Sequence, residues 1–236
     1  MNEIFYLNNN KDNLDDLSIP LPDQKNFEIA YSQALNLAID KLSLVKNIED
    51  QCLKSGSHFN QTSGSINLVY LNRDYNISFP DVKIVLLNSS EHVELRDQII
   101  ILHYLTNSKG TPPSNKLITF REFSEGAIYY PSFFKRSIQP LINHFGQSPE
   151  SMIQSGQNLG GTRTNLGDVS IVVPALPRLP ITYVLWCGDD ELPPNANILF
   201  DRNVLDYLPV EDIVVLSQTI TWKLVNSLLS KNVLLK

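Results

Sequence analysis

Three carboxylates stand together at Asp189-Asp190-Glu191, directly after the apolar run 181–187 that ends in Trp186 and Cys187. Carboxylate oxygens are the hard ligands that Mg²⁺ and Ca²⁺ select, and clustered acids repel unless something cationic joins them. Asp201 can extend that set, and Arg178 or Arg202 can neutralise it instead. The plainer reading is a turn pinned by backbone amides with Trp186 packed beside it. An EF-hand loop is excluded, because Pro193 and Pro194 fall in the segment and the sixth-position glycine is missing. His103 shares a helical face with Leu95, Ile99, Leu102 and Thr106. It would serve as an axial ligand to a tetrapyrrole metal or as a general base; on so apolar a helix the commoner fate is a core histidine bonded to a backbone carbonyl. Arg121 alternates against Phe120 and Glu122 at a strand end, so it faces away from both. Its forked donors can clamp a carboxylate or phosphate, and its plainer role is a structural ion pair.

Other chemistries lose their support on spacing. The Gly160-Gly161 stretch lacks the lysine-serine ending of a P-loop, and Gly-x-Gly-x-x-Gly is absent. Neither a Gly-x-Ser-x-Gly elbow nor a His-Glu-x-x-His zinc motif occurs. Cys52 and Cys187 are too few to hold an iron–sulfur cluster within the chain, which takes four thiolates.

The elements that must position these groups follow from periodicity. Residues 1–26 are polar and broken by Pro20 and Pro22, a leader expected to carry little chemistry. From Phe27 the apolar residues recur at helical spacing to about Leu53. The Gly- and Ser-rich stretch 55–65 ends that helix, and alternation over 66–70 and 75–79 around Asn72-Arg73-Asp74 predicts a hairpin. Strands are expected at 83–87, 117–120, 168–173, 181–187 and 198–200, and helices at 93–106, 132–145 and from Pro209 to 229. Residues 155–167 read as a loop. Pro174, Pro177 and Pro180 argue against a tight hairpin between 168–173 and 181–187 and suit an extended connection. Without strand–helix alternation of the parallel type, the expected fold is α+β, a mainly antiparallel sheet packed by helices, with 27–236 as a single domain.

Composition narrows the class further. Lys and Arg number 19 against 25 Asp and Glu, a net charge of −6, and 42% of residues are hydrophobic. That balance disfavours a protein that grips nucleic-acid phosphates. No apolar run approaches the roughly 20 residues of a membrane span, and the N-terminus has no secretory signature. A cytoplasmic location is expected, with both thiols reduced.

A collinear set of motifs runs through the chain: "LRDQIIILHYL" at 95–105, "ITFREF" at 118–123 with Gly126 and Tyr129, Gly160-Gly161, Gly167-Asp168, Leu176-Pro177-Arg178, "LWCGDDELPP" at 185–194, "ILFD" at 198–201 and "YLPVEDIVVL" at 207–216. Together these resemble the family called domain of unknown function 3786, over roughly residues 27–229. Leu192 stands where the family would place an aromatic, and Val82 where it would place a glycine. The resemblance brings no catalytic residue with it. It implies a setting in the metabolism of anaerobic bacteria and archaea, beside cysteine-rich segments of iron–sulfur type that this chain lacks. A cluster would then be met on a partner, an iron–sulfur or corrinoid protein.

The reading that unites these features is an accessory domain that binds a flat cofactor, corrinoid or haem-like, or docks on an iron–sulfur partner. His103, Arg121, Glu122 and Trp186 are its candidate cofactor-binding residues. The alternatives are an enzyme using a divalent metal at Asp189, Asp190 and Glu191, and a structural interaction module.

Overall fold

The computed structural model describes residues 24–234. The expected leader lies outside them except for residues 24–26, which already belong to the first helix. The architecture is α+β: two antiparallel sheets joined by helices around one contiguous core.

The periodicity over 27–53 is distributed over two helices, α1 (Gln24–Ser43) and α2 (Ile48–Ser55). The break is made by Asn47, whose side chain accepts the Asp50 N–H at 3.0 Å and starts α2 afresh. Gly56, at φ 73°, ends α2 in the left-handed conformation, which a Cβ would strain. Ala38 and Leu42 carry the buried stripe of α1.

The first sheet is β1 (His58–Asn60), β2 (Ser65–Tyr70), β3 (Arg73–Ser78) and β4 (Ile84–Leu86), in sequence order. β1 was not expected, because it lies in the Gly- and Ser-rich stretch. The hairpin forms as the alternation predicts, with Leu68 opposite Tyr75 and Ile66 opposite Ile77. Its tip is Leu71 and Asn72, at φ 49° and 61°. Leu71 is buried and its N–H bonds to the Ala175 carbonyl at 3.0 Å, so the tip of the first sheet is fastened to the second.

The second sheet has the order β5 (Leu117–Thr119), β9 (Asn195–Asp201), β8 (Leu179–Trp186), β7 (Val169–Leu176), β6 (Thr162–Thr164). β7 and β8 do form a tight hairpin, against the expectation from their prolines. Pro174 and Pro180 face each other at an irregularity next to Leu176, and Pro177-Arg178 makes a two-residue turn. Proline's fixed φ suits such a turn, and the irregularity absorbs the missing ladder donor. The expected loop 155–167 is also structured: it holds the end of α6 (Glu150–Gly156) and all of β6. A Cβ on Gly156 would sit 2.8 Å from Ile171 Cδ1, so this glycine lets the helix end lie directly on the sheet.

The remaining helices cover the sheets. α3 (Leu95–Asn107) packs on α1 and α2. The helix expected at 132–145 begins earlier, as α4 (Gly126–Phe133), passes through a π-turn (Phe134–Ile138) and continues as α5 (Gln139–Phe145). Pro140 cannot donate to the carbonyl four residues back, and the helix widens ahead of it, with the Gln139 N–H reaching Phe134 O. α7 (Val210–Leu234) buries Ile213, Leu216, Ile220 and Leu224 on one stripe. Phe120 and Phe133 stack at 4.0 Å between ring centres beside Phe200. Among the described residues no helix is long and apolar enough to cross a membrane.

Candidate functional site

His103 does not bond a backbone carbonyl. Its Nδ1 lies 2.6 Å from Asp212 Oδ2, in the first turn of α7. Carboxylate side chains are 12% and imidazole 24% exposed, so the pair sits at the rim of the α3–α7 contact. A carboxylate on one ring nitrogen fixes the orientation of the imidazole and leaves Nε2 as the nitrogen free for other work. The residues are 109 apart in sequence, and nothing in their local patterns links them.

Arg121 lies over the Tyr130 ring, 3.8 Å from its centre, a cation–π contact with α4. Glu122 turns back to close a capping box: its carboxylate accepts the Thr119 N–H at 2.7 Å and the Thr119 hydroxyl at 3.0 Å. These donors, with Arg202 nearby, hold the Glu122 carboxyl below its usual range. Glu122 also lines a cavity of about 730 Å³ with Lys116, Ile118, Phe123, Arg202 and Leu205.

Trp186 ends β8 and is 40% exposed. Tyr183 donates to Ser217 O of α7, so alternation places Val184 and Trp186 on the opposite face of the sheet. The turn between β6 and β7 curls over that face. Thr164 and Ser170 share a hydrogen bond at 2.6 Å, and a Cβ on Gly167, at φ 56°, would meet Val184 Cγ1 at 2.6 Å. Leu166 on this turn and Leu192 on the β8–β9 loop are 38% and 67% exposed.

The acid loop is a self-contained turn. Asp189 accepts the N–H groups of Leu192 and Glu191 at 2.7 and 2.9 Å, which holds its carboxyl below the usual range. Asp190 and Glu191 are exposed. Asp168 accepts the Cys187 N–H at 2.7 Å. Desolvation, followed by the Asp168 charge, pushes the Cys187 thiol up, away from nucleophilic use. Among the described residues no group of three or more His, Cys, Asp and Glu side chains is placed to hold a metal ion.

The candidates therefore divide into separate places. Trp186 and the acid loop lie together where β8 passes into β9. His103 and Asp212 lie at the start of α7. Ten residues further along α7, about 15 Å, Trp222 meets His144, and Gly146 of the same segment packs against Pro194 of the acid loop. The sequence pattern does not reveal Asp212 or Tyr130 as partners, nor Gly167 as a neighbour of Trp186. Each contact is made by tertiary packing that leaves no periodic signal.

Fold and site together define an α+β domain with exposed Trp186 and Leu192 flanking the acidic loop where β8 passes into β9, and exposed Leu166 on the turn between β6 and β7. The chain belongs to the family described as Domain of unknown function (DUF3786), whose model matches residues 47–222. No curated protein and no solved structure matches it.

Proposed function

We propose that this domain is an interaction module that docks, through Trp186, Leu166 and Leu192, on a partner protein with a basic face. The observation that carries the reading is the exposure of these three large apolar side chains next to Asp168, Asp189, Asp190 and Glu191. Exposed aromatic and leucine side chains are anchors of protein contacts, and a charged rim steers the partner and sets its sign. The module works in the cytoplasm, where Cys52 and Cys187 stay reduced. A basic iron–sulfur or corrinoid protein fits the setting implied by the family resemblance.

The test is capture from anaerobic extract with the full chain, followed by reconstitution with the identified partner. Trp186→Ala with Leu192→Ala should weaken the complex at least tenfold, and Asp190→Lys with Glu191→Lys should abolish its sensitivity to salt. A partner held equally by all forms would refute the reading.

One observation favours a second reading. The Asp212 carboxylate orients the His103 imidazole as such groups orient metal-ligating histidines, which supports His103 as the ligand of a haem-like or corrinoid metal. Titration with haemin should then give absorbance bands that His103→Ala removes; identical spectra would exclude His103 as the ligand.

A further inference from the structure

The register of β5 on β9 brings two cations together. Leu117 stands opposite Asp201, and the Arg202 backbone N–H donates to Lys116 O at 2.9 Å, which continues the ladder by one pair. Lys116 and Arg202 are therefore directly opposite each other, with their side chains on the same face of the strand pair. Like charges in that relation destabilise a sheet. Among the described residues neither cation forms an ion pair. Asp201, the acid next in sequence, is on the other face by alternation. Its carboxylate accepts the N–H groups of Ser114, Asn115 and Asn203 at 2.9, 3.1 and 2.9 Å.

Both cations line the cavity of about 730 Å³ that Glu122 shares. Small-molecule sites measure about 300–1,000 Å³ and combine apolar walls with a few convergent polar groups. Here the walls are the buried Phe123, the half-buried Ile118 and the exposed Leu205. The Glu122 carboxylate is engaged by the Thr119 N–H and hydroxyl, and its charge offsets one of the two cations. One net positive charge remains in the lining, which a monoanion neutralises and a dianion would exceed. Arg202 offers forked donors that match a carboxylate, and Lys116 a compact charge beside them. Arg202 directly follows β9, seven residues on from Asn195 and about 23 Å away, so the cavity is at the far end of this strand from the acid loop.

We propose that this cavity binds a small organic monocarboxylate, its carboxylate held between Lys116 and Arg202 and its hydrocarbon body laid over Ile118, Phe123 and Leu205. Binding relieves the opposition of the two cations, and covering Ile118 and Leu205 adds hydrophobic free energy. The site uses none of the residues of the docking surface at Trp186.

Sodium octanoate is the probe, titrated into the full chain and followed by the backbone amide signals in NMR spectra. The amides of Ile118, Phe123 and Leu205 should shift together and saturate, with a Kd of about 1 mM or below. Lys116→Ala and Arg202→Ala should each weaken binding by about fivefold or more. Lys135→Ala removes a cation outside the cavity and should leave binding unchanged. Unmoved amides of Ile66 and Ile77 report that each variant is folded. Octan-1-ol, equally long but uncharged, should bind about tenfold more weakly or worse, and inorganic phosphate should not saturate the site. Octanol bound as tightly as octanoate would make the cavity an apolar slot and overturn the proposal. Phosphate bound as tightly would overturn it too, by making this a site for any anion. Shifts that never saturate, or equal binding by the parent, Lys116→Ala and Arg202→Ala, would do the same.

Discussion

Tyr70→Phe removes one oxygen atom from the interior and tests what fastens the first sheet to α3. Tyr70 has no exposed surface, and its hydroxyl donates to Asp97 Oδ1 at 2.8 Å. Asp97 is itself only 8% exposed. A hydrogen bond to a charged group contributes about 1.5–3 kcal/mol, and the orphaned acceptor keeps its desolvation cost. The variant should therefore lose about 2–3 kcal/mol. With a urea slope near 2–3 kcal/mol per molar, the midpoint falls by about 1 M. Urea unfolding followed by circular dichroism measures this, and a cycle with Asp97→Asn isolates the pair. A coupling of about 1 kcal/mol or more is expected for groups in direct contact. A loss below about 0.5 kcal/mol, or strict additivity in the cycle, would refute the argument that this buried pair holds sheet to helix.

Four other outcomes follow from the packing. Burial raises the Tyr70, Tyr104 and Tyr183 hydroxyls above their usual range; a raised folded-state value means that stability is intact below about pH 10 and is lost above it. The loss approaches about 1.4 kcal/mol per pH unit for each tyrosine, and alkaline unfolding curves check it. Phe133→Ala opens a void against Phe120 and Phe200 and should cost about 3–5 kcal/mol in thermal or urea unfolding. At the hairpin tip, Leu71→Gly relieves a left-handed backbone but empties a buried site, so it should destabilise by about 1–2 kcal/mol. Asn72→Gly, on the exposed side of the same tip, should change stability by no more than about 0.5 kcal/mol; equal effects of the two would contradict the fastening role given to Leu71.

What could be read in the sequence is what local rules govern. The hairpin over 66–79 announces itself by alternation, and α7 by Pro209 at its start. The break between α1 and α2 did not show, because Leu42, Val45 and Ile48 continue a helical period through it and only the Asn47 cap interrupts the backbone. The β7–β8 turn was obscured by prolines whose cost is absorbed at a single irregularity. The candidate residues were visible as types, whereas their partners were not. Arg121 finds an aromatic ring, Glu122 its own helix cap and His103 an acid 109 residues away. Asp189 closes its own turn, as the plainer reading of the acid cluster has it.

The Glu122 cap has a consequence for the colloidal behaviour of the protein. The Arg202 backbone N–H donates to Lys116 O, so residues 116 and 118 face β9 and the Thr119 N–H points away from it, on the side where no strand of the described residues pairs. The carboxylate covers that donor, and a negative charge stands where an incoming strand of another molecule would have to pair. A charge set on an edge donor is one of the devices by which sheet edges disfavour edge-to-edge pairing. Because Thr119 and Arg202 hold that carboxyl below its usual range, the stopper keeps its charge in mildly acid solution.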